Sequence, residues 1–343
     1  MKTAVVICPG RGTYNVAELG YLSRHFPDPV LLEQFEQLRI AAGQERLSEL
    51  DGAEKFSMSR HGRGDNASAL IYTATLGDFL SINRKAIEVV AVTGNSMGWY
   101  SALACAGVLS GQDGFRIANT MGRFMQESLI GGQIIHPWID EDWRPRPEQK
   151  ANLLSLIASI SERPEHFLRL SIDLGGFLVV AGNEAGLKAF EAAVKPAQGR
   201  FPMRLANHAA FHTALQEAVA ARGRATLGHA LFGQPRMPLI DGRGHVWWPH
   251  GTGIEALQDY TFGHQVTAAY DFTRAIAVAA REFVPDYFVV TGPGTTLGGA
   301  VAQSLILANW RGLDSKDAFQ SLQASAPILI SMGIPEQRSI VTA

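Results

Sequence analysis

The sequence has little cysteine, no long apolar run and almost no net charge. Its two cysteines, Cys8 and Cys105, lie in apolar contexts without C-x-x-C spacing, which favours buried free thiols in a reducing, cytoplasmic compartment. No segment approaches the ~20 apolar residues of a membrane-spanning helix, and the apolar run at 3–8 is too short for a signal peptide. The formal charge of −2 predicts neither a nucleic acid nor an anionic membrane as partner.

The sequence does contain enough apolar residues for a large core, together with a repeated order of strand, turn and helix. Hydrophobic residues make up 46% of the 343 residues, which suits one large domain or two ordinary ones. Apolar runs at 3–8, 88–93 and 287–290 each enter a glycine-containing turn, and a core helix at 67–82 precedes the second run. This order predicts an α/β fold.

The middle of the chain has a different texture. Here the pattern predicts alternating elements, namely a strand near 133–135, a helix at 147–161, strands at 168–173 and 177–181, a helix at 184–195 and a strand at 201–205. The resulting βαββαβ order is typical of a small ferredoxin-like unit. The sequence therefore predicts a subdomain at 131–205, inserted into a larger domain formed by 1–130 and 206–343.

Three stretches lack a clear periodic pattern. Residues 44–66 are polar and rich in Gly, Ser and Arg, so we expect a surface loop. Asp241-Gly242-Arg243-Gly244 is expected to form an exposed turn. The apolar residues 328–330 are expected to pack either on the body of the protein or on a partner.

Ser96 is the strongest candidate for chemistry. The run at 88–93 leads into Gly94-Asn95-Ser96-Met97-Gly98, and an alanine-rich helical segment follows. A sharp strand-to-helix turn strains the serine backbone and presents Oγ, and the next N–H groups lie at a helix N-terminus, where they stabilise an oxyanion. We interpret Ser96 as a nucleophile. The alternative is a tight turn that contains serine by chance.

Two histidines, His208 and His212, are spaced four residues apart, as in some zinc sites. The glutamate of an H-E-x-x-H motif is missing, because Ala209 follows His208, and the sequence offers no evident third ligand. We therefore predict no metal here. A catalytic base is a better use for one of the two histidines, although a lone histidine is more often structural.

Five motifs occur along the chain in a characteristic order. They are Cys8-Pro9-Gly10-Arg11-Gly12, Gly94-Asn95-Ser96-Met97-Gly98-Trp99-Tyr100-Ser101-Ala102-Leu103, Met121-Gly122-Arg123-Phe124-Met125-Gln126, Ala210-Phe211-His212-Thr213-Ala214-Leu215 and Gly292-Pro293-Gly294. Together they resemble the motifs of the malonyl-CoA:acyl-carrier-protein transacylase family. The resemblance spans about residues 3–305 and is more specific than the serine turn alone.

This resemblance implies an α/β-hydrolase-like large domain with a ferredoxin-like insert, and a ping-pong transfer of an acyl group between two thiol carriers. It makes Ser96 the nucleophile and His212 the base that later protonates the leaving thiolate. The oxyanion hole would be the backbone N–H groups of Met97 and Arg11. Backbone carbonyls around Thr267-Ala268-Ala269 would orient the histidine. The implied partners are an acyl-CoA, which is itself the substrate, and an acyl carrier protein, with no cofactor and no metal.

Four positions depart from the family's motifs. Arg11 replaces a glutamine in the first loop, and Asn95 and Trp99 replace a histidine and a glutamate around the serine. Met121 stands where malonyl-specific members have the arginine that pairs with the substrate carboxylate. A carboxylate buried without a partner is costly, whereas methionine suits an aliphatic chain. We therefore expect a neutral acyl group, in a substrate site formed by Met121, Asn95, Trp99 and Phe211.

Other hypotheses remain open. Arg11 is the alternative partner for a malonyl carboxylate, while Arg123, two positions along the helix from Met121, is expected to point to another face. The same serine and histidine would act as an acyl-carrier hydrolase if water reached the acyl-enzyme. A third possibility is a non-catalytic relative that binds carriers. Because both Ser96 and His212 are retained, the sequence favours an acyltransferase of fatty-acid or polyketide assembly.

Overall fold

Two β-sheets organise the residues that the computed structural model describes, which are 1–343 with every side chain except that of His229. The strands are β1 Lys2–Cys8, β2 Ile87–Gly94, β3 Gly132–Pro137, β4 Leu168–Leu174, β5 Phe177–Gly182, β6 Met203–Arg204, β7 Leu239–Ile240, β8 Val246–Trp247, β9 Tyr270–Asp271, β10 Tyr287–Val290 and β11 Leu329–Ser331. The helices are α1 Tyr21–His25, α2 Pro29–Ala41, α3 Leu47–Asp51, α4 Met58–His61, α5 Gly64–Ser81, α6 Gly98–Cys105, α7 Gly111–Glu127, α8 Pro147–Ser161, α9 Glu184–Ala193, α10 Glu217–Thr226, α11 Ile254–Phe262, α12 His264–Thr267, α13 Phe272–Phe283, α14 Leu297–Leu307, α15 Lys316–Ser325 and α16 Pro335–Thr342.

The large sheet has the strand order β11-β10-β1-β2-β7-β8, parallel from β11 to β7 and antiparallel at the β8 edge. Its central strand β1 is apolar from Ala4 to Cys8, because both of its faces are covered there. Ala4 and Val6 enter a core shared with α5, α6 and α7, and Val5 and Ile7 enter a second core shared with α13 and α14. Helices on both faces of a largely parallel sheet confirm the predicted α/β class.

The small sheet has the order β6-β3-β5-β4-β9. Its first four members alternate with α8 and α9 in the predicted βαββαβ order, and they pair antiparallel. This is the ferredoxin-like unit that the sequence predicts. Strand β9 comes from outside 131–205 and pairs parallel with β4, with Ile172 beside Tyr270. The boundaries at 131 and 205 stay a prediction, because the sheet extends past them.

The predicted surface loop at 44–66 is wrong, because this segment contains the short helices α3 and α4 and packs inward. His61 is fully buried, and its ring accepts a hydrogen bond from Ser57 N–H (3.0 Å) and donates one to the Leu50 carbonyl (3.0 Å). Asp51 accepts hydrogen bonds from Tyr14 Oη (2.7 Å) and from the backbone of Leu22 (3.1 Å). Polar residues are buried here because local donors and acceptors satisfy them.

Two C-terminal expectations also change. The turn after β7 is exposed only in part. Arg243 is exposed, whereas Asp241 is fully buried and accepts hydrogen bonds from Arg243 Nη2 (2.6 Å) and Trp247 Nε1 (3.1 Å). The apolar patch at 328–330 packs on the body, because Leu329 and Ile330 lie in β11, parallel to β10 at the sheet edge. Among the described helices, none is both long and apolar enough to cross a membrane.

A buried carboxylate ties the C-terminal helix to the core. Asp78, in α5, is fully buried and accepts hydrogen bonds from Tyr21 Oη (2.7 Å) and from Gly292 N–H (2.6 Å). Burial raises the pKa of the Asp78 carboxyl, and the Arg338 guanidinium of α16, which forms an ion pair with it, opposes that rise. Among the described ion pairs, Arg338 is therefore the cation that compensates the buried charge of Asp78.

Removing this cation is expected to destabilise the fold strongly. Arg338→Met leaves the Asp78 charge buried and unpaired, which lowers the free energy of unfolding by about 3 kcal/mol or more. Urea denaturation followed by circular dichroism measures the change. The control is Lys2→Met, because the Lys2–Asp286 pair (2.9 Å) has side chains 59% and 36% exposed, and solvent screens such pairs so that they contribute little to stability. Equal losses in the two variants would contradict the prediction.

Candidate active site

The turn between β2 and α6 has the strained geometry that the glycine-flanked serine predicts. Ser96 has a φ of 55°, in the left-handed region that non-glycine residues rarely adopt. The two glycines permit this turn by close approach. A Cβ at Gly94 would collide with the carbonyl oxygen of Gly98, and a Cβ at Gly98 would collide with that of Cys8. The turn therefore holds Ser96 between the end of a central strand and the start of a helix.

Ser96 and His212 are brought together from opposite sides of the inserted subdomain in the sequence. Ser96 Oγ lies 2.8 Å from His212 Nε2, and His212 Nδ1 lies 2.7 Å from the backbone carbonyl of Gln265. A carbonyl only accepts, so Nδ1 carries the proton and Nε2 accepts the hydroxyl proton of Ser96. This is the tautomer that a general base for a serine nucleophile needs.

The carbonyl that orients His212 belongs to Gln265, not to the expected loop around Thr267-Ala268-Ala269. Gln265 lies in the short helix α12, and its side chain also donates to the Ser96 carbonyl (3.0 Å). Tyr100 Oη in turn donates to Gln265 Oε1 (3.3 Å). One glutamine thus holds both the histidine ring and the backbone of the serine. Gln265 lies only two residues before the expected loop. The bond from its side chain to the Ser96 carbonyl was not expected.

Burial keeps His212 neutral. The side chain is almost fully buried, and burial lowers its pKa from 6.5 to about 4, although the hydrogen bond to Gln265 opposes part of this shift. The ring of Tyr270 lies 5.5 Å from the imidazole, centroid to centroid. Near pH 7 the imidazole is therefore unprotonated and able to accept a proton, which a general base requires.

The loop that follows β1 touches the serine turn. A Cβ at Gly10 would lie 3.4 Å from Ser96 Cβ, so the loop that leads into Arg11 packs against the turn. The role of the Arg11 N–H as an oxyanion donor stays a prediction. In the described part of the chain, the N–H groups of Arg11 and Met97 donate to no other backbone group. Backbone donors without a partner are available to stabilise a negative oxygen if they face it.

The Arg11 side chain is half satisfied. Its Nη2 donates to the carbonyls of Gly62 (3.0 Å) and Asn207 (2.9 Å), and its guanidinium carbon lies 5.4 Å from the Phe211 ring centroid. Among the described residues, Nε and Nη1 are buried without a hydrogen-bond partner. Burial lowers the pKa of Arg11 to about 10, so the group stays cationic near pH 7.

The residues expected to line an acyl site lie deeper than predicted. Met121 is 0% exposed, and its Sδ lies 2.8 Å from where a Cβ on Gly223 would be. Trp99 is also fully buried, where its indole N–H donates to Thr261 Oγ1 (3.0 Å). Trp99 thus belongs to the core, because an indole with one satisfied donor buries well. Its direct contact with an acyl group, and that of Met121, stay predictions.

The two remaining predicted residues, Asn95 and Phe211, directly precede Ser96 and His212 in the chain. Asn95 is largely buried, and its Oδ1 has no hydrogen-bond partner within the described structure. Phe211 is buried directly before His212. Arg123 points to another face, as expected, since its side chain is 41% exposed and lies 3.7 Å from Glu127. Of the expected set, Asn95 and Phe211 are therefore closest in sequence to the serine and the histidine.

One polar group at the site, Tyr270, was not predicted, and His208, the other candidate base, has a different partner. Tyr270 Oη donates to the Gly94 carbonyl (2.6 Å), at the start of the serine turn. His208 does not approach Ser96 by any described hydrogen bond, and instead its Nδ1 donates to Gln133 Oε1 (2.7 Å). Across the described side chains, no three His, Cys, Asp or Glu residues are grouped as metal ligands. A tyrosine at a strand edge and a histidine held by glutamine leave no distinctive pattern in the sequence.

The low pKa of His212 predicts how the folded protein titrates. In the folded state the His212 imidazole is expected to stay neutral as the pH falls from 8 to 5 and to take up a proton only near pH 4. Since its pKa is lower in the folded state than in the unfolded chain, acid below pH 6.5 is expected to reduce stability as the pH approaches 4.

Nuclear magnetic resonance of histidine-labelled protein measures this titration, with the His212→Gln variant identifying the resonance. The same labelled protein in concentrated urea is the control, because unfolding removes the burial and is expected to return the midpoint to about 6.5. A folded-state midpoint above 6 would contradict the prediction.

Comparison with known proteins shows which sequences and folds this chain resembles. No family model matches the sequence. The malonyl CoA-acyl carrier protein transacylase of Salmonella typhimurium is 24% identical over 312 residues, covering 87% of this chain and 92% of that protein. The phenolphthiocerol synthesis polyketide synthase type I of Mycobacterium marinum is 26% identical over 320 residues, covering 89% of this chain and 14% of that protein.

The fold is shared with solved structures. The crystal structure of malonyl-CoA:acyl carrier protein transacylase from Xanthomonas oryzae superposes with a TM-score of 0.76 at 20% identity, over 99% of this chain and 97% of that one. The matches by sequence and by structure both include malonyl-CoA:acyl carrier protein transacylases. The chain is a divergent relative of the malonyl-CoA:acyl carrier protein transacylases.

Proposed function

We propose that this protein transfers an acyl group from a coenzyme A thioester to an acyl carrier protein through an ester on Ser96. The observation that carries the proposal is the hydrogen-bonded chain from Ser96 Oγ to His212 Nε2 (2.8 Å) and from His212 Nδ1 to the Gln265 carbonyl (2.7 Å). The relatives support it, because they are named as acyl carrier protein transacylases. Fatty-acid or polyketide assembly is the corresponding setting.

In the first half-reaction, Ser96 Oγ attacks the thioester carbonyl as its proton passes to His212 Nε2. The oxygen becomes negative in the tetrahedral intermediate, and the backbone N–H groups of Met97 and Arg11 are the proposed donors to it. The carbon–sulfur bond then breaks, and the imidazolium returns its proton to the leaving thiolate. Coenzyme A leaves as the thiol, and the acyl group remains on Ser96 as an ester.

The second half-reaction runs the same steps in reverse with a new thiol. The carrier's thiol gives its proton to His212 as the sulfur attacks the ester carbonyl, and Ser96 leaves with that proton. No cofactor is required, since coenzyme A is part of the substrate. His212 is neutral at the start of each half-reaction and is neutral again after it has returned its proton.

The acyl group is proposed to be neutral, because Met121 replaces the expected arginine on α7 and no guanidinium extends from that position. A second candidate, a malonyl or other carboxylated group, is favoured by one observation. The Nε and Nη1 of Arg11 are buried without partners among the described residues, and a cation with unused donors is suited to a carboxylate. The two candidates differ in the residue that would contact the acyl group, which is Met121 for a neutral group and Arg11 for a carboxylated one.

The covalent step is tested by mass spectrometry after incubation with acetyl-CoA, malonyl-CoA and longer acyl-CoAs. We expect an acyl adduct on Ser96, no adduct in Ser96→Ala, and acylation slowed roughly 10²–10⁴-fold in His212→Ala. Ser101→Ala is the matched control. That serine is buried in the helix after the turn, its Oγ has no partner in the described structure, and its loss should leave the adduct intact.

The fate of the acyl group separates the hypotheses. Labelled acyl groups that move to added carrier protein support transfer. Label that appears as free acid, with or without carrier, supports the hydrolase instead. If no acyl-CoA gives an adduct on Ser96 in the wild-type protein, the transferase proposal is wrong and a non-catalytic carrier-binding protein is favoured.

Acyl preference is tested by the ratio of malonyl to acetyl turnover. For a neutral substrate we expect Met121→Arg to raise this ratio by roughly tenfold or more, since a charge-assisted pair contributes about 1.5–3 kcal/mol. Arg11→Gln should leave the ratio unchanged, and the thermal midpoint of each variant checks its folding. A wild-type preference for malonyl that Arg11→Gln abolishes would favour the second candidate. An unchanged ratio in Met121→Arg would show that this position does not face the acyl group.

A further inference from the structure

The segment that carries His212 is anchored to the small sheet by buried side chains. Ser171 Oγ, on β4, donates to the carbonyl of Phe211 (2.8 Å), the residue directly before His212. Gln133, on β3, donates from Nε2 to Ser171 Oγ (2.6 Å). Both side chains are almost completely buried. The carbonyl of the peptide that leads into His212 is therefore held from within the ferredoxin-like unit.

The position of Ser171 is produced by an irregularity in its strand. Leu170 pairs with Val180 and Ile172 pairs with Val179, so Ser171 is an extra residue in the β4–β5 register. A bulge of this kind redirects the side chain of the extra residue, and bulges recur next to active sites. In a regular ladder the alternation of strand residues would decide the direction of Ser171 Oγ. Here the bulge directs it to the Phe211 carbonyl.

The histidine needs such an anchor because its own backbone is strained. His212 has a φ of 56°, which costs about 1–2 kcal/mol for a residue with a Cβ. The peptide between Phe211 and His212 is planar, so fixing its carbonyl oxygen also fixes the direction of the His212 N–Cα bond. A residue other than glycine keeps a left-handed backbone conformation only where the surrounding structure holds it there.

Gln133 is itself fixed at both ends of its amide. Its Oε1 accepts from His208 Nδ1 (2.7 Å), and its Nε2 reaches Ser171. His208 lies on the same segment as His212, four residues earlier. The segment is thus attached twice to the small sheet, once at His208 and once at the Phe211 carbonyl.

We propose that Ser171 and Gln133 are positioning residues, which hold the backbone of His212 so that Nε2 stays within hydrogen-bond distance of Ser96. The inference rests on the proposed function, since it concerns the base of that reaction. It assigns to the ferredoxin-like subdomain a part in aligning the base, through the bulge at Ser171. Neither residue touches the reacting atoms.

The test measures the rate of Ser96 acylation in a single turnover, together with the steady-state kcat and KM. Ser171→Ala is expected to lower kcat by about 10–100-fold, because displacements near 1 Å have effects of that size, while KM for the acyl-CoA stays within twofold. Loosening the segment admits water to His212 and raises its pKa from about 4 toward 6.5. The acid limb of the pH–rate profile is therefore expected to move to higher pH.

The matched control is Ser161→Ala, since Ser161 is another serine of the small subdomain whose hydroxyl donates to a β4 carbonyl, that of Leu168. It should leave kcat and the pH profile unchanged, even if both variants lose similar stability in urea. A second variant, Gln133→Leu, removes the donor to Ser171 without opening a cavity and should change the rate in the same direction. In the double variant the losses should be less than additive, as expected for one chain of contacts.

The proposal is overturned if folded Ser171→Ala and Gln133→Leu keep the wild-type kcat and acid limb, or if Ser161→Ala changes them equally. Ser96→Ala separates this result from a failure of the proposed function. If Ser96→Ala still transfers acyl groups, the serine mechanism itself is wrong. If Ser96→Ala is inactive while both anchor variants behave as wild type, only the positioning role is lost.

Discussion

The whole site depends on two non-glycine residues held in left-handed backbone conformations. Ser96 and His212 have φ values of 55° and 56°, and each such residue costs about 1–2 kcal/mol that local sequence does not recover. The compensation comes from elsewhere in the fold. Gly94 and Gly98 let the serine turn close against β1, and Gln265 bonds to both the His212 ring and the Ser96 carbonyl. The strain is thus maintained by tertiary contacts, as is common at active sites.

Burial leaves His212 and Arg11 in different charge states near pH 7. It lowers the pKa of His212 to about 4, which keeps the imidazole neutral near pH 7. It also lowers the pKa of Arg11, but only to about 10, which leaves the guanidinium charged. Desolvation therefore makes His212 a neutral proton acceptor, whereas Arg11 remains a cation. This difference is why the proposals for the acyl group concern Arg11 as well as Met121.

Much of the fold, and part of the candidate site, could be predicted from the sequence. Helix α8 lies at 147–161, as its periodicity indicates. The glycines around Ser96 correctly predict the strained turn. The orienting role of Gln265 could not be predicted, because a backbone carbonyl can come from any residue type. The inward packing at 44–66 was missed because His61 is buried yet polar, and local bonds satisfy it. Strand β9 has two residues, too few to show alternation.

Strand β9 connects the small sheet to the large sheet, because it pairs with β4 and its Tyr270 bonds to β2. Strand β4 supplies Ser171 to the segment of the histidine, and its next residue, Ile172, pairs with Tyr270 of β9. Tyr270 Oη donates to the Gly94 carbonyl, at the entrance to the serine turn. Adjacent residues of one strand are therefore connected to both halves of the Ser96–His212 pair. A displacement of β4 relative to β2 would act on both connections at once, so alignment of the pair requires the two sheets to keep their relative position.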